Sequence, residues 1–514
     1  MRRAIDFIIK NLYSVLFCVV IALGLFLRSY NFIDRIDYGS DTARDILIAQ
    51  EALKIHSLPL FASFSSTGPY VFGPQFYWTN MLSYYIFPTS IAPFLLLFVT
   101  GVLSIGAMMH IGKLLGGEKI SIISGLLIAL SPQFISRSIS LTQHSYLGHL
   151  SIFSLLFFVL VFKSRKVIYS FLFGLLVGLA TMFHYAGINL VFLAFFLFLV
   201  PKTSFKKRIL FLLFFSVGFT IMWIPLLYWD SFQNFANLRN FLDFIFIGQN
   251  RIYVPNSWRI FLFNFLPSYW SNVVGGYTAI VYSILTVFIF FLGYNILKRK
   301  LDKNWITIFS SFLLLLIINR YYKGERFDGY VIYLAPFIFI ITAWTISQFS
   351  LLHWRKTPLK FFWVLFLIII LFGSFFNAKQ FIFFKNTHMD RIYADEKLLV
   401  SAFPRRSFAI YDFLYKSTDE SHALSVVLQN HGLSDPNGIP IGISDMSFSV
   451  DKTLLIKNSN FILLDPKKID VNSRDWKRKN QADVYEDSIG WARNTKLNST
   501  FNIMEFIKSK LRKI

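Results

Sequence analysis

The sequence predicts an α-helical polytopic membrane protein of about eleven spans, with a small α/β domain at its C-terminal end. Three observations carry that prediction. Of 514 residues, 55% are hydrophobic and only 15% are charged, where a soluble domain carries about 25% charged residues. Apolar runs recur at roughly 18 residues or more, long enough to cross a hydrocarbon core about 30 Å thick. Such runs must be helical in lipid, where the backbone finds no water to bond. The basic residues, finally, alternate regularly along the connections between the runs.

The spans begin near Leu12, Ser90, Lys119, Tyr146, Val167, Ile188, Ile209, Val273, Trp305, Tyr330 and Phe361. No small-residue cleavage site follows Leu23–Arg28, so the first run reads as an anchor rather than a signal peptide. Cys18 lies inside it and is the only cysteine, which rules out an intrachain disulfide. Segment 169–201 must form two helices around a tight turn at His184-Tyr-Ala-Gly187.

One set of connections carries Arg2, Arg3 and Lys10; Lys113 and Lys119; Lys163, Arg165 and Lys166; Lys202, Lys206, Lys207 and Arg208; Lys298, Arg299, Lys300 and Lys303; and Arg355, Lys356 and Lys360. These are cytoplasmic by the positive-inside rule. Their only acids are Asp6, Glu118 and Asp302, so the formal charge of +23 is largely a topology signal. It gives no argument for a nucleic-acid partner. The other connections, 29–88, 137–145, 184–187, 230–272 and 320–329, then face outward, as does everything after Asn377. The N-terminus is expected in the cytoplasm and the C-terminal domain outside, in a multi-pass plasma (cytoplasmic) membrane protein.

Two domains are expected: a transmembrane domain over 1–378, whose first outer loop 29–88 carries interfacial helices, and an extracytoplasmic domain over 379–514. In the latter, charge becomes frequent and Asp435-Pro-Asn-Gly-Ile-Pro440 punctuates the chain. The apolar runs 407–414, 424–428 and 460–464 resemble strands. The basic end at Lys508, Lys510, Arg512 and Lys513 reads as a solvated or headgroup-contacting helix.

The most informative stretch is Asp37-Tyr-Gly-Ser-Asp-Thr-Ala-Arg-Asp45. Between Glu51 and Asp230 the only carboxylate is Glu118, whereas the first outer loop holds Asp34, Asp37, Asp41, Asp45 and Glu51 against Arg35, Arg44 and Lys54. A basic membrane protein that gathers its acids at one surface has its chemistry there. From Thr42 the pattern reads as an amphipathic helix lying along the membrane surface. Asp41 stands at its N-terminus, where the dipole and free N–H groups favour an anion, and Asp45 follows one turn later. Taken alone, Asp41 serves equally as a helix cap and Asp45 as a solvated helix residue. Gly73-Pro74 then turns the chain into Gln-Phe-Tyr77-Trp78, an aromatic interfacial segment.

Tyr38-Gly-Ser-Asp41-Thr-Ala-Arg-Asp45, followed by Gly-Pro-Gln-Phe-Tyr-Trp and a long apolar span, resembles the first outer loop of the GT-C polytopic glycosyltransferases. The likeness is to the protein O-mannosyltransferases and the lipid A aminoarabinose transferases. Gly174-Leu-Leu-Val-Gly178-Leu-Ala-Thr-Met-Phe-His184 and Tyr321-Tyr-Lys-Gly-Glu-Arg326-Phe-Asp-Gly-Tyr330 are similar to later segments of that class. The resemblance covers about 3–377. It implies transfer of a sugar from a polyprenyl-phosphate donor to an acceptor hydroxyl on the outer face, with inversion. Asp41 would be the base that takes the acceptor proton. Arg320, Lys323 and Arg326 would hold the departing phosphate, with Tyr330 donating a hydrogen bond. Arg251 and Arg259 are further cations of the outer face, and Arg44, Asp45, Tyr77 and His184 would line the cavity. A solvated loop in which Lys323 and Arg326 pair with Glu325 and Asp328 is the plainer alternative.

Some relatives carry another acid in the second outer loop, for catalysis or for metal. Here that loop, Arg137-Ser-Ile-Ser-Leu-Thr-Gln-His144-Ser, has none. No obligatory metal is therefore expected, a divalent ion being left open; His56 with Asp41 or Glu51 is too sparse a set for zinc. The expected partners are the lipid-linked donor, membrane lipids, and an acceptor that could be protein, lipid or glycan. The alternative function is a lipid or glycan transporter or flippase. An ion-coupled transporter keeps ionisable groups near the membrane centre, and the expected spans hold essentially none. A polysaccharide polymerase or ligase would carry its principal outer loop late in the chain.

Overall fold

The computed structural model describes residues 11–349, 358–413, 418–443, 461–463 and 476–490. Arg2, Arg3, Asp6, Lys10, Arg355, Lys356 and the basic end at 508–513 lie outside the described residues, as does the Lys360 side chain.

Helices dominate. Helix α1 (Leu12–Ser29) is the first span, α2 (Ser40–Lys54) and α3 (Gln75–Ile86) occupy the first long connection, and α4 (Ala92–Leu130) carries the next two spans. A break at Gly116 and Gly117 divides α4, with Gly117 at φ 81°, a conformation suited to glycine. Then follow α5 (Pro132–Arg137), α6 (Gln143–Ser164), α7 (Val167–Phe183), a 3-10 segment (Tyr185–Leu199) and α8 (Phe205–Ser231). After α9 (Ala236–Phe246) and α10 (Leu266–Val274) come the last spans: α11 (Thr278–Leu297), α12 (Lys303–Ile318), α13 (Ala335–Phe349) and α14 (Pro358–Ile382). Among the described residues eight helices are long and apolar enough to cross a membrane, one of them the broken α4, and α7 and the 3-10 segment are shorter apolar helices. Among the described residues the expected eleven runs are therefore all present. The sixth differs in kind, being wound as 3-10 rather than α.

The bundle is packed through close approaches. A Cβ on Gly174 would lie 2.0 Å from the Phe215 carbonyl oxygen, and one on Gly218 2.3 Å from that of Phe171. Small residues thus bring α7 and α8 to backbone contact, the usual way helices associate where lipid supplies no hydrophobic drive. Large side chains such as Phe195, Phe290 and Leu297 are left exposed on the outside of the bundle.

The connections sort to two ends. At one end Lys113 lies 3.9 Å from the centre of the Tyr13 ring, and Trp305 meets Trp344. At the other, the Thr42 hydroxyl donates to the Leu141 carbonyl at 3.0 Å and Phe72 stacks on His184. There, too, the Val71 N–H donates to Asn237, and Lys323 Nζ donates to Asn250 at 2.6 Å. The connections 29–88, 137–145, 184–187, 230–272 and 320–329 therefore meet at one end, opposite the basic set.

Two arginines fasten that end. Arg28, wholly buried, donates Nε to Ser138 and its terminal nitrogens to the carbonyls of Gly24, Ile128 and Ala129 at 3.1–3.2 Å. Arg35 donates to the carbonyls of Leu27, Arg28 and Phe381. Leu27, Arg28, Ile128, Ala129 and Phe381 sit in the last turns of α1, α4 and α14, where carbonyls run short of helical partners and the dipole is negative, and Gly24 lies one turn further into α1.

Beyond α14, helix α15 (Thr387–Ala402) leads to a lobe with strands β1 (Phe408–Phe413), β2 (Ile439–Ile443), β3 (Phe461–Leu463) and β4 (Trp476–Arg478). The sheet order is β3-β2-β1-β4, with β1 and β2 parallel in the register Phe408–Ile439 and both outer pairs antiparallel. Helix α16 (Thr418–Asn430) makes the crossover between the parallel strands, and α17 (Gln481–Tyr485) follows β4. The run 424–428 is thus helix, not the strand its Val-Val core favours. Ala423, Val426, Val427 and Asn430 repeat at helical spacing, and the apolar ones are buried.

Candidate active site around the acidic helix

Helix α2 was expected to lie on a membrane surface with one wet face. Instead Ala43, Ile46, Leu47, Ile48, Ala49 and Ala52 are all at 0–1% exposure, spread right around it. It lies between the bundle, through α3, and the lobe, through α16 and α17. Gly39 takes the N-cap position with no side-chain cap, so Asp41 is not a cap. Its carboxylate is free for another role.

That carboxylate is 82% exposed and accepts from Arg44 at 2.6 Å. The same guanidinium donates Nε to Asp45 Oδ1 at 2.8 Å, with a second terminal nitrogen also 2.8 Å away. Asp45, expected to be solvated, is buried at 6% side-chain exposure, and the Tyr77 hydroxyl donates to it at 3.4 Å. One arginine therefore bridges an outer, wet carboxylate and an inner, dry one. Burial drives the Asp45 carboxyl up to about 6 against the pull of Arg44, and the two carboxylates hold the guanidinium firmly protonated. The residues 41, 44, 45 and 77 come together as one group.

The fifth outer connection is built differently. Arg326 donates to the carbonyls of Gly324, Asn319 and Tyr322 at 2.7–2.9 Å and lies over the Phe261 and Tyr322 rings. It shapes its own loop. Lys323 is held by Asn250 rather than Glu325, and Asp328 accepts from Asn272 at 3.4 Å, so neither cation forms the expected acid pair among the described residues. Arg320 is exposed on the loop, as are Arg251 and Arg259 on the fourth connection. Tyr330 stacks on His184 with centroids 5.4 Å apart, and His184 stacks in turn on Phe72 and meets His144 at 4.3 Å. Burial lowers the His184 ring to about 4, so it is neutral.

One residue that sequence reasoning passed over is Arg137. It is half-buried at the end of α5, its one described side-chain bond is a 3.5 Å contact to Thr142, and burial lowers its pKa. Tyr269 and Asp328 lie near it without pairing, and the hydroxyl of Tyr269 and the amide of Gln133 are buried beside each other. The one sequence signal was an arginine at the outer end of a span in a loop without acids.

Among the described residues no three His, Cys, Asp or Glu side chains gather as a metal set. The charge beside Asp41 is the Arg44 guanidinium, on Asp41 Oδ1.

The architecture is a fold shared with solved polytopic membrane proteins. Over 82% of its length the chain matches the archaeal oligosaccharyltransferase AglB from Archaeoglobus fulgidus, solved with an inhibitory peptide and a dolichol-phosphate, at TM-score 0.52 and 15% identity. It spans 64% of that protein. The match to ArnT from Cupriavidus metallidurans bound to undecaprenyl phosphate has TM-score 0.55 and 14% identity, covering 82% of this chain and 85% of that one. The apo state of ArnT matches at 0.55 and 12%, over 85% and 94% of the two chains. More particularly, residues 71–229 match the family model described as dolichyl-phosphate-mannose-protein mannosyltransferase. No curated protein matches the sequence.

Proposed function

We propose that this chain is a membrane glycosyltransferase that moves a sugar from a polyprenyl-phosphate donor to an acceptor hydroxyl on the outer face. The observation that carries the reading is the Asp41–Arg44–Asp45 group, a wet carboxylate fixed by an arginine that a buried carboxylate anchors. Beside it the first and second outer connections meet, the Thr42 hydroxyl donating to the Leu141 carbonyl. The fold shared with proteins solved holding dolichol-phosphate or undecaprenyl phosphate supports the donor class.

Asp41 accepts the acceptor's hydroxyl proton as the acceptor oxygen bonds to the anomeric carbon. The bond from that carbon to the phosphate oxygen breaks, and its electron pair leaves with the lipid phosphate. Attack opposite the leaving group inverts the anomeric centre. Arg44 sets the position of Asp41, and Arg137 with the rim cations Arg320 and Lys323 meets the phosphate charge that builds up as the bond breaks. Arg326 serves by holding the loop that presents Lys323 and Tyr330. The N-terminus is cytoplasmic, residues 379–514 form the outer domain, and no metal is required.

The test is sugar transfer or hydrolysis from a panel of radiolabelled polyprenyl-phosphate sugars by the purified chain and its Asp41→Asn variant. Turnover lost in a folded Asp41→Asn protein supports the reading, and equal turnover in both removes Asp41 from the chemistry.

A further inference from the structure

The fourth and fifth outer connections are joined at one residue. Lys323 donates its backbone N–H to Gln249 Oε1 at 3.1 Å, and its Nζ donates to Asn250 Oδ1 at 2.6 Å. Its carbonyl accepts from the Val254 N–H at 2.9 Å. The carbonyls on either side, of Tyr322 and Gly324, turn instead to Arg326. Position 323 is thus pinned from two flanks, with its side chain against the fourth connection.

The two amides are themselves oriented. Asn250 Nδ2 donates to the Ile247 carbonyl at 2.8 Å, and Gln249 Nε2 donates to the Ile245 carbonyl. Those carbonyls lie at the C-terminal end of α9, where helical partners run out and the dipole is negative. With each amide nitrogen engaged there, each amide oxygen is turned to Lys323. The negative end of α9 therefore reaches the ammonium through two neutral amide dipoles.

A carboxylate in that place would offset the ammonium before any ligand arrived. Among the described residues none pairs with Lys323, and Asn250 takes one of the three N–H bonds on Nζ. Its neighbours differ. Arg326 turns its guanidinium onto three carbonyls of its own loop, and exposed Arg320 has no described bond to fix it. Lys323 combines a fixed position with donors left for an anion. The same connection packs on the second one, since a Cβ on Gly329 would lie 2.5 Å from His144 Cδ2. The second connection in turn takes the Thr42 hydroxyl of α2 on its Leu141 carbonyl.

We propose that Gln249 and Asn250 are positioning residues, an amide relay from the end of α9 that aims Lys323 at the lipid phosphate and leaves its charge un-neutralised. The identity of the anion rests on the transferase reading; the relay geometry does not.

The experiment is a double-mutant cycle on the full chain, with the donor that the panel identifies. Lys323→Met should lower kcat by about 100-fold, the usual effect of removing one donor to a developing charge. Asn250→Ala, which releases the ammonium, should lower it about fivefold. Asn250→Asp should be slower still, by about tenfold or more, because it keeps an acceptor in place but neutralises the lysine. In the Lys323→Met background both changes at 250 should lose their effect to within about twofold. A merely structural Asn250 would give losses that persist without the lysine. Parental kcat in Asn250→Asp, or full losses in the Lys323→Met background, would overturn the proposal.

Binding of undecaprenyl phosphate, which carries no sugar, gives a second readout that needs no turnover. Its Kd should rise about tenfold in Lys323→Met and in Asn250→Asp. If the chain transfers no sugar yet binds this lipid with that dependence, the transferase reading fails and the relay stands. If transfer depends on Asp41 while rate and binding ignore positions 250 and 323, the relay fails and the transferase reading stands.

Discussion

Arg44 and Arg28 are guanidiniums at the same end of the molecule, yet they are neutralised in opposite ways. Arg28 is wholly buried and its acceptors are the carbonyls closing α1 and α4, with the Ser138 hydroxyl. Those partners are neutral backbone carbonyls and one neutral hydroxyl. Arg44 is shared by two carboxylates, of which Asp45 is dry and Asp41 is 82% exposed. Only the second arrangement has a partner that can take up a proton or face a ligand. Charge alone does not mark a reactive arginine, and the freedom of its partner does.

Four changes test that contrast, in order of expected effect. Asp41→Asn should cut kcat by about 100-fold or more, the usual contribution of a general base. It should move stability by less than about 1 kcal/mol, because an exposed ion pair contributes little. Transfer rates and a thermal unfolding curve on the same preparation separate the two. Arg28→Leu should do the reverse, destabilising by about 3 kcal/mol or more as buried carbonyls lose their donor, while the folded fraction keeps its rate. Next, Arg44→Lys should slow transfer by roughly tenfold, because a single ammonium cannot reproduce the fork that spans both carboxylates. A lysine variant with the parental rate would show that position 44 supplies charge and no geometry.

The smallest effect lies in pH. The folded Asp45 carboxyl is raised to about 6, above its value of about 3.9 in an unfolded chain. The native state therefore binds the proton more readily than the unfolded state, and stability should rise as pH falls from 7 towards 4. Activity should move the other way below about pH 6, as the protonated carboxyl releases Arg44. Asp45→Asn should flatten the stability trend. A stability profile unchanged by that substitution would show that Asp45 does not titrate in this range.

The bundle was legible in the sequence because lipid imposes simple rules. Apolar length and the alternation of lysine and arginine suffice to place every crossing and to sort the connections into two ends. Asp41 was legible as an acid in the one acidic loop of a basic protein. Its surroundings were not. The helix pattern at 42–52 is amphipathic in isolation, and only the lobe, folded from residues over 360 positions away, covers the face that would be wet. The strand expected at 424–428 failed for the same kind of reason: helical spacing against α2 outweighs the local preference of Val426 and Val427. Arg28 and Arg35 carried no local signal of their roles, since the partners that make them fastenings, the carbonyls of Ile128, Ala129 and Phe381, are backbone groups of distant helix ends.

The buried fastening at Arg28 and Arg35 has a mechanical side. It ties the closing turns of the first, third and last crossings into one knot, and the acidic helix hangs from that knot by a short tether, 30–39. Those three crossings cannot part at that end without breaking bonds to buried charge. The α11–α12 hairpin, whose flanks are largely exposed, supplies none of the carbonyls in that knot. The acid is thus carried by a helix whose chain enters directly from buried, multiply bonded guanidiniums.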